Sequence, residues 1–173
     1  DPFTGGNYAK QLQQILDEKI GDEGYDVGHL VDYGEADGDA GCIGCVCVDG
    51  LKGSGYTTHP FVDEFGGEYK NDYFDLDYLG HELGHQFGAY HTYSFESEAT
   101  GFNVEPGSGT TIMSYAGLVG EDNVQLHGDA YFHYQSIQYI ASVLDGVNCG
   151  TSVTFESSTP NVDAGQDYKI PKG

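Results

Sequence analysis

Residues 81–91 read His81-Glu82-Leu83-Gly84-His85-Gln86-Phe87-Gly88-Ala89-Tyr90-His91 and fill every fixed position of H-E-x-x-H-x-x-G-x-x-H. Two histidines four residues apart lie on one face of a helix, about one turn from each other. The pattern therefore demands a helix and then a break, because Gly88 lets the chain leave the helix and double back toward a third histidine. Three neutral imidazoles with an open fourth position make a catalytic zinc site, and Glu82 is placed to act on a water at such a metal. The bland alternative is a helix with incidental histidines, and a match this long argues against it.

Downstream, Thr110-Thr111-Ile112-Met113-Ser114-Tyr115-Ala116-Gly117 places the only methionine of the chain in a short turn-like segment. Together the two segments resemble the metzincin zinc endopeptidases, whose long zinc motif is completed by a methionine-containing turn beneath the metal. Within that clan the chain looks most like the secreted bacterial reprolysin-like, adamalysin-related peptidases. The likeness extends to Tyr25-Asp26-Val27-Gly28-His29-Leu30, to residues 41–47 with Lys52-Gly53 after them, to Glu105-Pro106-Gly107-Ser108-Gly109 and to Tyr131-Phe132-His133. That is most of residues 1–150. Two departures stand out. Thr92 follows the third histidine where adamalysins usually carry Asp, and Leu118-Val119 lacks a cysteine common in bacterial relatives.

The resemblance implies an α+β metzincin catalytic domain over 1–150, with a twisted mixed sheet, a long zinc-binding helix, the Met-turn and a C-terminal helix. It also implies roles. His81, His85 and His91 hold zinc, Glu82 is the general base, and Met113 is an apolar floor rather than a ligand. Tyr115 stands where astacins and serralysins place a mobile zinc ligand and oxyanion stabiliser, and both that role and simple pocket lining stay open. Tyr115, Ala116, Gly117 and Leu118 wall a pocket for a medium hydrophobic side chain after the scissile bond. Substrate is expected to lie extended along an edge strand near residues 43–48. His29, His59, His127 and His133 lack ligand spacing and read as packing or surface residues.

Composition narrows the partners. The net charge is −22, with 28 carboxylates against six lysines and no arginine. Nothing can neutralise nucleic-acid phosphates, and an anionic membrane would repel the chain. Protein or peptide substrates and a monomeric state are expected. Most of the charge reads as solvated surface, with room for one or two Ca²⁺ sites beside the catalytic zinc. Twenty-seven glycines imply long loops. No apolar run approaches membrane-spanning length, and a secreted location is expected.

Cys42, Cys45, Cys47 and Cys149 allow three disulfide pairings, and the C-x-x-C-x-C cluster leaves a second zinc site open. An extracellular setting favours disulfides. The family resemblance maps one bridge to Cys47–Cys149, which leaves Cys42 and Cys45 as a tight local ring.

Apolar spacing predicts helices over 7–20 and 131–145, the histidine motif implies a third over about 72–88 with Asp72 or Asp75 near its N-terminus, and strands are expected over 26–33 and 43–48. Residues 151–173 carry little periodicity and read as a tail or linker remnant. Elements that precede the first helix in the family are absent, which points to a separate N-terminal fragment, a natural minimal form, or a removed prodomain. Two rival functions remain. One is an astacin- or serralysin-like peptidase with Tyr115 on the metal. The other is a catalytically silent, calcium-loaded extracellular binding module on the same scaffold.

Overall fold

Helix α1, Tyr8–Lys19, forms where Leu12, Ile15 and Leu16 recur at helical spacing, and it buries Leu12. The chain then leaves through Gly21, whose amide reaches back to Leu16 O at 3.0 Å. The computed structural model describes residues 3, 6–62, 67, 70–97, 102–151, 153 and 165. Nearly all of the expected tail, 151–173, lies outside the described residues.

Three short strands make one mixed sheet: β1, His29–Tyr33; β2, Asp37–Asp39; and β3, Gly55–His59. The order is β1-β3-β2, with β1 parallel to β3 (His29 opposite Gly55) and β2 antiparallel to it (Asp37 opposite Thr58). Central β3 is almost wholly buried, and β2 is an edge. The three helices and the mixed sheet agree with the α+β metzincin class expected from the sequence.

The strand expected over 43–48 does not form; the chain there is a series of turns. Cys42 and Cys45 close a disulfide only three residues apart, and Gly44 and Cys47 both adopt positive φ, at 72° and 66°. A chain bent this way cannot extend. It serves as a cap instead, since Gly44 N donates to His85 O (2.8 Å) and Val46 N to Gln86 O (3.1 Å). These carbonyls lie at the end of a helix, where intrahelical donors run out, and His85 O also accepts from Gly88 N at 2.9 Å. Cys47 is bonded to Cys149, joining this loop to the segment after the last helix.

The second helical stretch begins as a π-helical segment, Phe74–Leu79, and runs on as α2, Gly80–Gln86. Such widened turns recur at functional sites. Helix α3, Tyr134–Gly146, starts behind His133, whose Nδ1 accepts from Gln135 N at 3.1 Å. That capping bond is the place of His133.

Gln86 is fully buried and pins the end of α2 to the sheet. Its Oε1 pairs with His29 Nδ1 (2.8 Å), its Nε2 donates to Gly28 O (3.0 Å), and His29 Nε2 meets Thr57 Oγ1 (2.7 Å). The fully buried side chains include Tyr93, Met113 and Thr92, so the interior is centred on the end of α2 and the segments that follow it.

Candidate metal centre

Helix α2 carries His81 and His85 on one face, and the break after it delivers His91. Gly88 adopts φ +110°, a conformation that L side chains rarely take, and a Cβ there would also strike Val143. Ala89 N closes the turn on Gly84 O at 2.9 Å. The outcome is a tight collar. His91 Nε2 lies 3.0 Å from His85 Nε2 and 3.1 Å from His81 Nε2.

The other ring nitrogens fix the tautomers. His81 Nδ1 sits 2.8 Å from Ile112 O and His85 Nδ1 2.8 Å from Ala89 O. A carbonyl only accepts, so each Nδ1 carries the proton and each Nε2 turns a lone pair inward. Burial, with His85 and His91 adding to it, holds His81 well below the usual histidine pKa and keeps its ring neutral. Tetrahedral ligation at roughly 2.0–2.1 Å would set the nitrogens about 3.3 Å apart, close to the spacing found. The donor set therefore fits a tetrahedral metal with one open position. The other grouping of ligand-type side chains among the described residues is Asp26 with Cys47 and Cys149, and that cysteine pair is spent in a disulfide.

Met113 is fully buried beneath α2. A Cβ on Gly84 would collide with its sulfur, so the helix presents a bare backbone to the methionine. The turn around Met113 also supports the collar directly, because Ile112 O orients His81 and Met113 O accepts Thr92 N at 3.1 Å.

Glu82 faces the edge strand. A Cβ on Gly38 would come within 2.8 Å of its Cγ and Oε1, so only glycine lets β2 lie this close. Burial pushes the Glu82 carboxyl up to about 7; Asp39 and Asp37 add to the rise, and a backbone hydrogen bond at Ala40 opposes it. A carboxyl in that range both takes and returns a proton near neutral pH.

The cleft has two lobes. One, of about 340 Å³, lies between Gly38–Ile43 and the Glu82, His85, His91 and Tyr115 side. The other, of about 220 Å³, runs past Asp37, Tyr78, His81 and Leu118. Asp77, Tyr78, Ser114 and Leu118 then lead into a deeper cavity of about 250 Å³ that also holds Ile112, Ala116, Gly117, Leu126 and His127. The edge strand bordering the cleft is β2, which corrects the expectation of an edge at 43–48.

The family model for metallo-peptidase family M12B, Reprolysin-like, matches residues 1–149. The chain belongs to that family. It is a reprolysin-like metallopeptidase of the metzincin type. Neither the curated proteins nor the solved structures yield a match to it.

In this peptidase Tyr115 packs edge-on against His91 with ring centroids 4.5 Å apart, and its ring lies 5.8 Å from that of His81. Ala116, Gly117 and Leu118 line the deeper cavity. The polar part of that cavity leaves no local signal in the sequence. Asp77 Oδ2 pairs with His127 Nδ1 at 2.8 Å, Gly128 N donates to Asp77 Oδ1 at 2.7 Å, and His127 stacks on Tyr73 at 3.4 Å. His127, read as a packing or surface residue, lines the cavity, and so does His59. Asp77 and His127 stand fifty residues apart with no spacing to betray them. Among the described residues no helix is long and apolar enough to cross a membrane.

Proposed function

We propose that this reprolysin-like peptidase is a secreted zinc endopeptidase that cuts extended protein or peptide chains, with residues 1–150 as its catalytic domain. The observation that carries the proposal is the collar of three Nε2 atoms with Glu82 at its mouth. His81, His85 and His91 would hold Zn²⁺, which supplies a Lewis acid for the substrate carbonyl and acidifies water. Glu82 takes a proton from the water that attacks the carbonyl carbon and delivers it to the amide nitrogen as the C–N bond breaks.

Substrate adds as a strand against β2, an edge strand of the sheet, where main-chain hydrogen bonds give sequence-tolerant affinity. The residue after the scissile bond enters the 250 Å³ cavity. Ile112, Ala116, Leu118 and Leu126 favour a medium hydrophobic side chain there, and Asp77 and His127 add a polar part to its wall. Two disulfides support an oxidising, extracellular setting.

The decisive experiment is cleavage of an unfolded protein mixture read by mass spectrometry, for the native chain and Glu82→Ala, each with measured zinc content. Cutting by the native chain alone, with zinc in both, is expected. Zinc in both with no cutting by either would sink the enzyme reading in favour of a silent binding module. The contact of Tyr115 with His91 favours a second reading, with Tyr115 as an additional metal ligand. In the cobalt-substituted protein, Tyr115→Phe alters the absorption bands only if that second reading holds.

A further inference from the structure

Among the described residues Glu105 is the carboxylate most completely withdrawn from solvent, at 7% exposed, and neither metal ligation nor the general-base role uses it. Its Oε1 accepts from Thr110 N (3.0 Å) and Thr111 N (3.2 Å), and its Oε2 accepts the Thr111 hydroxyl at 2.5 Å. The buried Thr92 hydroxyl acts on the same carboxylate, although its geometry falls short of a full hydrogen bond. Burial alone would raise the pKa of Glu105. The threonine hydroxyls and the Thr110 and Thr111 amides outweigh burial, so the carboxyl is held below its usual value and stays ionised.

Main-chain bonds join the same segments. Glu105 N and Val104 N both donate to Thr92 O, at 2.8 and 2.9 Å, and Thr92 N donates to Met113 O. Thr92 follows His91 directly. Thr111 precedes Ile112, whose carbonyl orients His81. Glu105 therefore sits where the segment leaving one ligand meets the turn supporting another. Withdrawing a carboxylate from water is costly, and a neutral side chain could fill the same space, so packing alone does not account for the charge.

We propose that Glu105 is a positioning residue for the metal centre. Its carboxylate clamps the Thr92 segment to the Thr110–Met113 turn and so fixes His91 relative to His81 and to the methionine floor. The inference rests on the zinc reading above, and its test is read on metal binding rather than on turnover alone.

Glu105→Gln keeps the shape and removes the charge. Chelator competition should show zinc affinity reduced about ten- to a hundredfold, as for other groups that orient ligands. The visible bands of the cobalt-substituted protein should shift, and kcat should fall with KM nearly unchanged. Thr111→Val deletes only the shortest bond and should move affinity and spectrum the same way by a smaller factor. It also carries the test should Glu105→Gln fail to fold. Native zinc affinity together with a native cobalt spectrum in these variants, whatever their melting temperatures, would overturn the proposal. A native chain that binds zinc yet cuts nothing would sink the peptidase reading, while the affinity ratio of variant to native still decides the role of Glu105.

Discussion

Replacing Gly88 by alanine tests whether the third imidazole depends on one backbone conformation. At φ +110° an alanine is strained, which costs about 1–3 kcal/mol. The new Cβ would lie 2.5 Å from Val143 Cγ2 and 3.2 Å from its Cβ, so α3 must give way, at about 1–3 kcal/mol. The smaller entropy of the unfolded alanine chain returns only about 0.4–1 kcal/mol. The net loss is about 3 kcal/mol, or roughly 6–12 °C in Tm for a chain of this length. Thermal unfolding of the metal-free protein by circular dichroism measures it. Zinc affinity should fall as well, because the turn that delivers His91 is displaced. Adding Val143→Ala should recover the steric part but not the strain, visible as a coupling energy in a double-mutant cycle. Gly88→Ala with native Tm and native zinc affinity would mean that the third imidazole does not depend on this backbone conformation.

Other outcomes follow from the same structure. The lowered pKa of Glu105 means that its contribution to stability is present above its unfolded value, near 4.5, and is lost as pH falls through the lower folded value. Acid unfolding followed by fluorescence should therefore show a shallower low-pH limb in Glu105→Gln than in the native chain; equal limbs would contradict this. The bridge Cys47–Cys149 spans 102 residues and Cys42–Cys45 three, so loop entropy predicts losses of about 4.7 and about 2 kcal/mol on removal. Denaturant titration of the paired Cys→Ser variants should rank them in that order. Asp37 and Asp39 line the cleft on β2. Asp37→Asn and Asp39→Asn should each lower kcat/KM roughly two- to fivefold for lysine-bearing peptides at low salt, an effect that vanishes as salt rises. Equal effects on glutamate-bearing peptides would instead place the effect on Glu82, whose carboxyl both aspartates push up.

The metal collar was legible because its information is local. Eleven consecutive residues, read with a 3.6-residue period and one glycine, bring three imidazoles together without reference to the rest of the chain. The three helices were legible for the same reason, since apolar spacing marks α1 and α3 and the histidine motif itself marks α2. The sheet was not. Residues Gly55–His59 form its central strand, yet Gly-Tyr-Thr-Thr-His offers little hydrophobic alternation and is buried by its neighbours. The apolar run at 43–48 offered more strand signal and was overruled by a disulfide ring that bends the backbone.

What surrounds the collar belongs to the tertiary structure. The closeness of Gly38 to Glu82, the pairing of Asp77 with His127 and the seating of Glu105 among Thr92, Thr110 and Thr111 join residues from different segments of the chain. The sequence alone determined which three imidazoles converge, because a helix and one turn suffice to bring them together. Only the fold decided how acidic Glu82 is, what lines the cavity beside it and which carbonyl orients His81. Those properties arise from burial and from partners distant in sequence, which no local period encodes.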